Sequence, residues 1–205
     1  MQSMALLSNL TCLTVLELVD CENLTVDGFN PLITLNLVSL EVYNTGACLS
    51  RSISADLFSE LAVARTSLTL PAGSFQLQSL TVDCIAAVLV APICSLLAAT
   101  LKSLDAMNDE RAESFTGEED RALQLLTSLR SVGFVDCPNL SSLPQGLYNL
   151  PSLWDLRIVR SPQIPSLPKG PFPTSLKRVC VSDCSPELQE QVVKLKEIYP
   201  DLEVE

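Results

Sequence analysis

An α/β solenoid of stacked parallel strands is the fold this sequence predicts, on three observations. A leucine-type residue recurs at the first, fourth and sixth positions of seven segments: Leu13-Leu16-Leu18, Leu37-Leu40-Val42, Leu77-Leu80-Val82, Leu101-Leu104-Ala106, Leu129-Val132-Phe134, Leu153-Leu156-Ile158 and Leu176-Val179-Val181. Their starts lie 24, 40, 24, 28, 24 and 23 residues apart. Aromatics make up only 5% of a chain that is 47% hydrophobic, so leucine must supply the core. A period near 24 with an L-x-x-L-x-L core is the mark of leucine-rich repeats, each adding one short strand to a curved array. The expected architecture is a horseshoe. It has a short parallel sheet on the concave side, a mostly irregular convex side and a C-terminal capping helix.

Seven or eight repeats are expected over residues 1–184, with insertions near 45–70 and 107–126, followed by a cap helix and tail over 185–205. Side chains alternate along a strand, so the leucines point inward and the residues between them face solvent. Strands are predicted near 14–19, 38–43, 78–83, 102–107, 130–135, 154–159 and 177–182.

The first insertion contains Ser54 to Leu61, which reads as a short helix with Leu57 and Leu61 on one face, and a degenerate repeat around Leu68-Thr69-Leu70. Residues 84 to 101 carry no charge over 18 positions, the lower limit for a membrane span. Pro92 at the centre and in-register repeats on both sides favour a buried core run instead. In the second insertion Asn108 to Phe115 reads as an exposed loop. Thr116 with Glu119 makes a capping box and predicts a helix near 117–126.

Beyond Cys137, the residues Pro138, Pro144, Pro151, Pro162, Pro165 and Pro168 forbid long helices, because each lacks an N–H donor. At the C-terminus Ser185 is a candidate N-cap, Pro186 suits the first helical turn and Glu187 complements its positive end. Leu188, Val192, Leu195 and Tyr199 fall on one face, and Pro200 ends the helix. Such a helix covers the last repeat. Met1 to Leu13 offers no comparable cap, so the chain is expected to be the last part of a longer repeat array or of a multidomain protein, or equally a truncated gene product.

The net charge of −11 argues against nucleic acid as a partner, since a binder needs a basic face to displace counterions from phosphates. Eight cysteines invite a disulfide reading, but their positions do not. Cys21, Cys137 and Cys184 each follow the third core position by three residues, where an Asn or Cys turns inward to cap the strand. Cys12, Cys48, Cys84, Cys94 and Cys180 show no paired spacing. There is no histidine and no C-x-x-C, so neither a zinc site nor a Ser/His/Asp or Cys/His catalytic site is expected. No enzymatic activity and no cofactor are expected. Three sequons, at Asn9, Asn23 and Asn139, fit either glycosylation or turn chemistry. The first residues lack the features of a signal peptide, which favours turn chemistry.

The run Asp136-Cys137-Pro138-Asn139-Leu140-Ser141-Ser142-Leu143-Pro144-Gln145-Gly146-Leu147, continued by Leu150-Pro151-Ser152-Leu153-Trp154-Asp155-Leu156-Arg157-Ile158, resembles a known family. It is similar to the leucine-rich-repeat region of plant intracellular immune receptors with a nucleotide-binding switch, the disease-resistance class. The D-C turn recurs at Asp20-Cys21 and Asp183-Cys184, and the ending from Ser175 to Asp201 resembles the final repeat and tail of such receptors in grasses. The resemblance is strong from about residue 126 onward and looser before it. It implies recognition of a pathogen effector or a modified host protein. It also implies contact with the receptor's own nucleotide-binding domain to hold it off, and a cytoplasmic location, with a nuclear or peripheral membrane location of the full receptor as alternatives. The G-x-x-x-x-G-K-[ST] phosphate loop is absent, so this chain alone is not expected to bind a nucleotide. The G-x-I-P segment of secreted plant receptors is absent too. The alternatives are an ectodomain fragment of an extracellular repeat receptor and a stand-alone repeat scaffold or inhibitor.

Read across repeats, one solvent-facing column runs Gln78, Lys102, Arg130, Trp154, Lys177. The next runs Ser79, Ser103, Ser131, Asp155, Arg178, a third Glu17, Glu41, Thr81, Asp105, Gly133, Arg157, and a fourth Asp20, Asn44, Cys84, Asn108, Asp136, Arg160, Asp183. The early repeats are acidic, and the late ones are basic and carry the single tryptophan. Lys102, Arg130, Trp154, Arg157, Arg160, Lys177 and Arg178 are therefore the candidate protein-binding residues, suited to an acidic partner surface. The plainer alternative is that Trp154 covers neighbouring aliphatic stems while the charges keep the sheet soluble.

Overall fold

The computed structural model describes residues 2–7, 9–10, 12–21, 23–28, 30, 35–45, 52–67 and 75–205. The chain forms one eight-stranded, all-parallel sheet with helices, an α/β fold whose strand order follows chain order. The strands are β2 (Val15–Val19), β4 (Ser39–Tyr43), β5 (Ser79–Val82), β6 (Ser103–Met107), β7 (Ser131–Val135), β8 (Asp155–Val159), β9 (Arg178–Ser182) and β10 (Glu203–Val204). Each strand is laid beside the one before it, which is how a solenoid accumulates its sheet. A separate two-residue pair joins β1 (Gln2–Ser3) to β3 (Leu24–Thr25).

All seven predicted strands are present, each beginning one residue later than the pattern suggests. The register aligns the core positions across the sheet. Leu16, Leu40, Leu80, Leu104, Val132, Leu156 and Val179 form one row. From Leu40 onward every member is buried. A fully buried leucine contributes about 1.5–3 kcal/mol, so this row is a main source of stability. The outer edge of β2 has no partner strand among the described residues, and there Val15 is half exposed.

The first insertion forms α1 (Ile53–Ser67), longer than the sequence suggested, with Leu57 and Leu61 buried as expected. Leu68-Thr69-Leu70 lies outside the described residues. The uncharged run of residues 84–101 breaks into α2 (Ile85–Val88) and α3 (Ala91–Leu97), with Pro92 in the first turn of α3. Ile85, Val88, Ile93, Cys94 and Leu97 all face the core. No helix among the described residues is long and apolar enough to cross a membrane.

The capping box is present: Thr116 Oγ1 accepts the Glu119 amide at 3.2 Å, and the Glu119 carboxylate accepts the Thr116 amide at 2.7 Å. It starts α4 (Gly117–Leu123). The preceding segment is the irregular loop that its charge suggests, with Arg111, Glu113 and Ser114 exposed, but its two ends are anchored. Asp109 is only 1% exposed at one end, and Phe115 packs edge-on against Phe134 at the other. After Cys137 the prolines leave one short 3-10 turn, Gln145–Asn149.

The terminal helix α5 (Pro186–Ile198) begins as predicted. Ser185 Oγ accepts the Leu188 amide at 3.3 Å and donates to the Ile164 carbonyl at 2.6 Å, tying the helix start to the preceding turn. Leu188 and Val192 are buried, while Leu195 and Tyr199 are half-buried against the core. Beyond Pro200 the chain adds β10, which the sequence pattern does not announce. Leu202 enters the core, and Glu203 and Val204 pair with Arg178 and Val179.

Candidate interaction face

The strand-entry row is built by the backbone. Lys102 N–H donates to the Gln78 carbonyl at 2.8 Å, Arg130 to Lys102 at 2.8 Å, Trp154 to Arg130 at 2.8 Å and Lys177 to Trp154 at 2.9 Å. Neighbouring members are therefore about one strand spacing, roughly 4.8 Å, apart. A buried leucine precedes each of Lys102, Arg130, Trp154 and Lys177, which turns the residue itself outward. Trp154 is 47% exposed. Lys102 Nζ donates to Gln78 Oε1 at 2.8 Å, a neutral partner that leaves its charge uncompensated. No carboxylate pairs with Arg130 or Lys177 among the described residues. The three stand as unneutralised cations on a chain of net charge −11.

The other three predicted cations behave differently. Arg157 reaches back across Gly133 to Asp105, with Nη2 to Oδ1 at 2.7 Å. Gly133 makes that possible, because a Cβ there would lie 2.0 Å from the Asp105 carboxylate. Arg157 Nε and Arg178 Nε lie 3.4 and 3.3 Å from the Asp155 carboxylate, which also accepts from Ser131 Oγ at 2.9 Å. These two Nε contacts are ion pairs outside hydrogen-bond geometry. Arg178 also lies 3.8 Å from Glu205. Burial pushes the Asp105 carboxyl up, with the Arg157 guanidinium pulling the other way. Arg160 makes a two-pronged pair with Asp136, both contacts at 2.6 Å.

The seven candidates thus form two groups. Arg157, Arg160 and Arg178 are held by acids of their own sheet. Lys102, Arg130 and Lys177 flank Trp154 and remain available. The acidic-to-basic gradient along the third column is partly consumed within the molecule through the Asp105–Arg157 pair.

Strand exits explain the fourth column. Asp20, Asn108, Asp136, Arg160 and Asp183 all have φ near +50°, the left-handed region that Asp and Asn tolerate best. Arg160 is the one side chain of another type among them. One residue on, the inward slot is filled by Cys21, Asp109, Cys137, Ser161 and Cys184. The Cys137 thiol points at the carbonyls of Ala106 and Val135, and Cys184 at those of Ile158 and Ser182. Burial raises the Cys137 thiol to about 12, so it is an inert proton donor. The described cysteines are free thiols.

Sequence reasoning missed Asp109 and Ser161, although counting three residues past Ala106 and Ile158 finds both. It also missed Asp83, which is 8% exposed and sits one residue before the fourth column. Asp83 accepts from Ser52 Oγ at 2.7 Å, Ser54 Oγ at 2.6 Å and Asn44 Nδ2 at 3.0 Å. No sequence signal links these residues, which lie up to 39 positions apart. With every Asp83 contact a structural one, the cluster ties α1 to the sheet rather than offering a reactive carboxylate. No grouping of three or more His, Cys, Asp or Glu suited to a metal ion occurs among the described residues. No family model matches the chain, and the search of curated proteins gives no significant match.

Proposed function

We propose that this chain is a leucine-rich-repeat interaction module, the C-terminal repeat region of a plant intracellular immune receptor. In this reading it recognises a pathogen effector or a modified host protein. It also helps to hold a nucleotide-binding switch domain inactive within the cytoplasmic receptor. The family part rests on the Asp136 to Ile158 run and its recurring D-C turns. The all-parallel sheet in chain order supports a repeat array.

One observation carries the binding role: Trp154, half exposed, stands between Arg130 and Lys177, neither of which has an acidic partner among the described residues. Tryptophan and arginine dominate interface hot spots, because they desolvate large areas while keeping polar handles. The paired arginines beside them supply a rigid floor that loses little side-chain entropy on binding.

The test is a selection with the intact chain against displayed secreted pathogen proteins and plant host proteins. Partners recovered should lose about tenfold or more in affinity to Trp154→Ala. Partners retained at full affinity by that variant would put recognition elsewhere and end this reading.

A further inference from the structure

We infer that the groove at the C-terminal end of the sheet receives a bulky apolar side chain of an extended partner segment whose acidic part lies against Trp154. The inference rests on the interaction reading above and gives the partner segment its chemistry.

The backbone ladder of the strand-entry row continues past Lys177. Glu203 N–H donates to the Lys177 carbonyl at 2.8 Å and Glu203 is in register with Arg178, so Leu202 lies opposite Lys177 with its side chain turned into the core. Leu202 is a wall of a groove of about 270 Å³, completed by Phe172, Leu176, Ile198 and Tyr199, with Lys177 at its mouth. Ile198 is 68% exposed, and Pro200 stops the helix beside it. Lys177 therefore belongs to the cationic row and to the apolar groove at once.

Charge decides which part of a ligand lies where. On the row side the uncompensated charges are all positive: Lys102, Arg130 and Lys177. On the groove side Asp201 lines the groove and Glu203 is exposed on β10 beside it, and both would repel an acidic side chain. A segment crossing both would place its acids over the row and an apolar residue in the groove. Spacing sets the sequence separation. Arg130 to Leu202 spans three strand spacings, about 14 Å. An extended chain rises about 3.3 Å per residue, so acid and anchor should be about four residues apart. The occupant is thus a peptide segment of a protein partner, acidic at one end and aliphatic or aromatic at the other.

The probe is a displayed library of random twelve-residue peptides selected against the full chain. Enriched peptides should carry one or two acids followed or preceded, about four residues away, by Leu, Ile, Phe or Trp. Lys177→Glu and Ile198→Asp should each weaken them about tenfold. Both positions are exposed, and an unchanged circular dichroism melt shows that the variants fold. Peptides sensitive to Trp154→Ala and Lys177→Glu but not to Ile198→Asp would overturn the groove and leave the row intact. Insensitivity to all three, or no enrichment, would overturn both. A dimer in light scattering that Ile198→Asp abolishes would give the groove to a second copy of the chain, again overturning the inference.

Discussion

Between Asn44 and Asp109 the chain leaves its strands over buried carboxylates, whereas from Asp136 to Cys184 it leaves them over thiols and a hydroxyl. The geometry of the turn is the same at Asn108-Asp109 and at Asp136-Cys137, with a left-handed residue followed by an inward side chain. What differs is the chain that comes next. Pro138 follows Cys137 and Pro162 follows Ser161, so neither exit leaves an N–H immediately beyond the slot. A donor such as a thiol can then face the carbonyls of the sheet. After Asp109 come Glu110, Arg111 and Ala112, and before it α2 begins at Ile85. The amides of Ile85, Arg111 and Ala112 need an acceptor, and the Asp109 carboxylate takes them at 2.8, 3.2 and 3.1 Å. At Asp109 the carboxylate matches three amides brought by α2 and the following turn, while at Cys137 and Ser161 the next residue is a proline with no N–H to offer.

Exchanging the chemistry should break the later region most severely. Cys137→Asp would aim a buried carboxylate at the Ala106 and Val135 carbonyls, with Asp109 and Asp136 close by and no N–H from Pro138 to relieve it. A loss of about 4 kcal/mol is expected, because only backbone amides such as that of Asp109 would donate to a buried charge facing two carbonyls and two neighbouring carboxylates. Urea unfolding would measure it, and a loss under about 1 kcal/mol would mean that the slot is indifferent to polarity.

Asp109→Ala comes next, at about 3 kcal/mol, because three amides lose their acceptor in a buried turn. Asp109→Asn should cost less, since its carbonyl oxygen still accepts. The same pair gives a pH test. Burial raises the Asp109 carboxyl above its ordinary value, against the pull of its three amide donors. The stability linked to this proton is fully present below the unfolded-state value of 3.8 and is lost as pH rises through the raised folded-state value. The wild-type chain should therefore gain on Asp109→Asn as pH falls through that window. The opposite slope would show that the amides, not burial, govern this carboxyl.

Ser161→Ala is smaller, about 1 kcal/mol. Ser161 Oγ accepts the Cys137 amide at 3.2 Å and donates to the Val159 carbonyl at 3.1 Å, so it serves both polarities at once. Ser161→Cys should restore part of the loss, since the neighbouring slots show that a thiol fits. No recovery would show that the amide acceptor is what matters.

The later region was the more legible one, and the reason is physical. There the period of the leucines, the prolines and the D-C turns all constrain the same short segment, so strand, turn and slot coincide. The strand-entry row could be read by counting, and Trp154 stands where counting puts it. Pairing could not be read this way. Whether Arg157 meets a partner depends on Asp105 lying two strands away and on Gly133 leaving the space between them. In the earlier region α1 interrupts the period, and its polar ties to Asp83 join residues with no shared pattern. The strand β10 escaped notice for the same reason: two residues after a helix carry no periodicity, and only burial of Leu202 gives them a place.

Arg160→Ala should have the smallest effect on stability and separates the slot ladder from the surface charges of the same region. Arg160 pairs with Asp136 at 2.6 Å through both prongs, the closest ion pair on this face, yet its side chain is 54% exposed. Water screens such a pair, and salt screens it further. Removing it leaves the Ser161 hydroxyl and the buried leucines untouched, so the urea midpoint in high salt should not move. Partner affinity should fall far less than for Trp154→Ala, because the guanidinium is already engaged. A large midpoint shift at low salt that high salt removes would mean that the left-handed turn at Arg160 depends on the ion pair. The later region would then be held by charge after all, as the earlier one is.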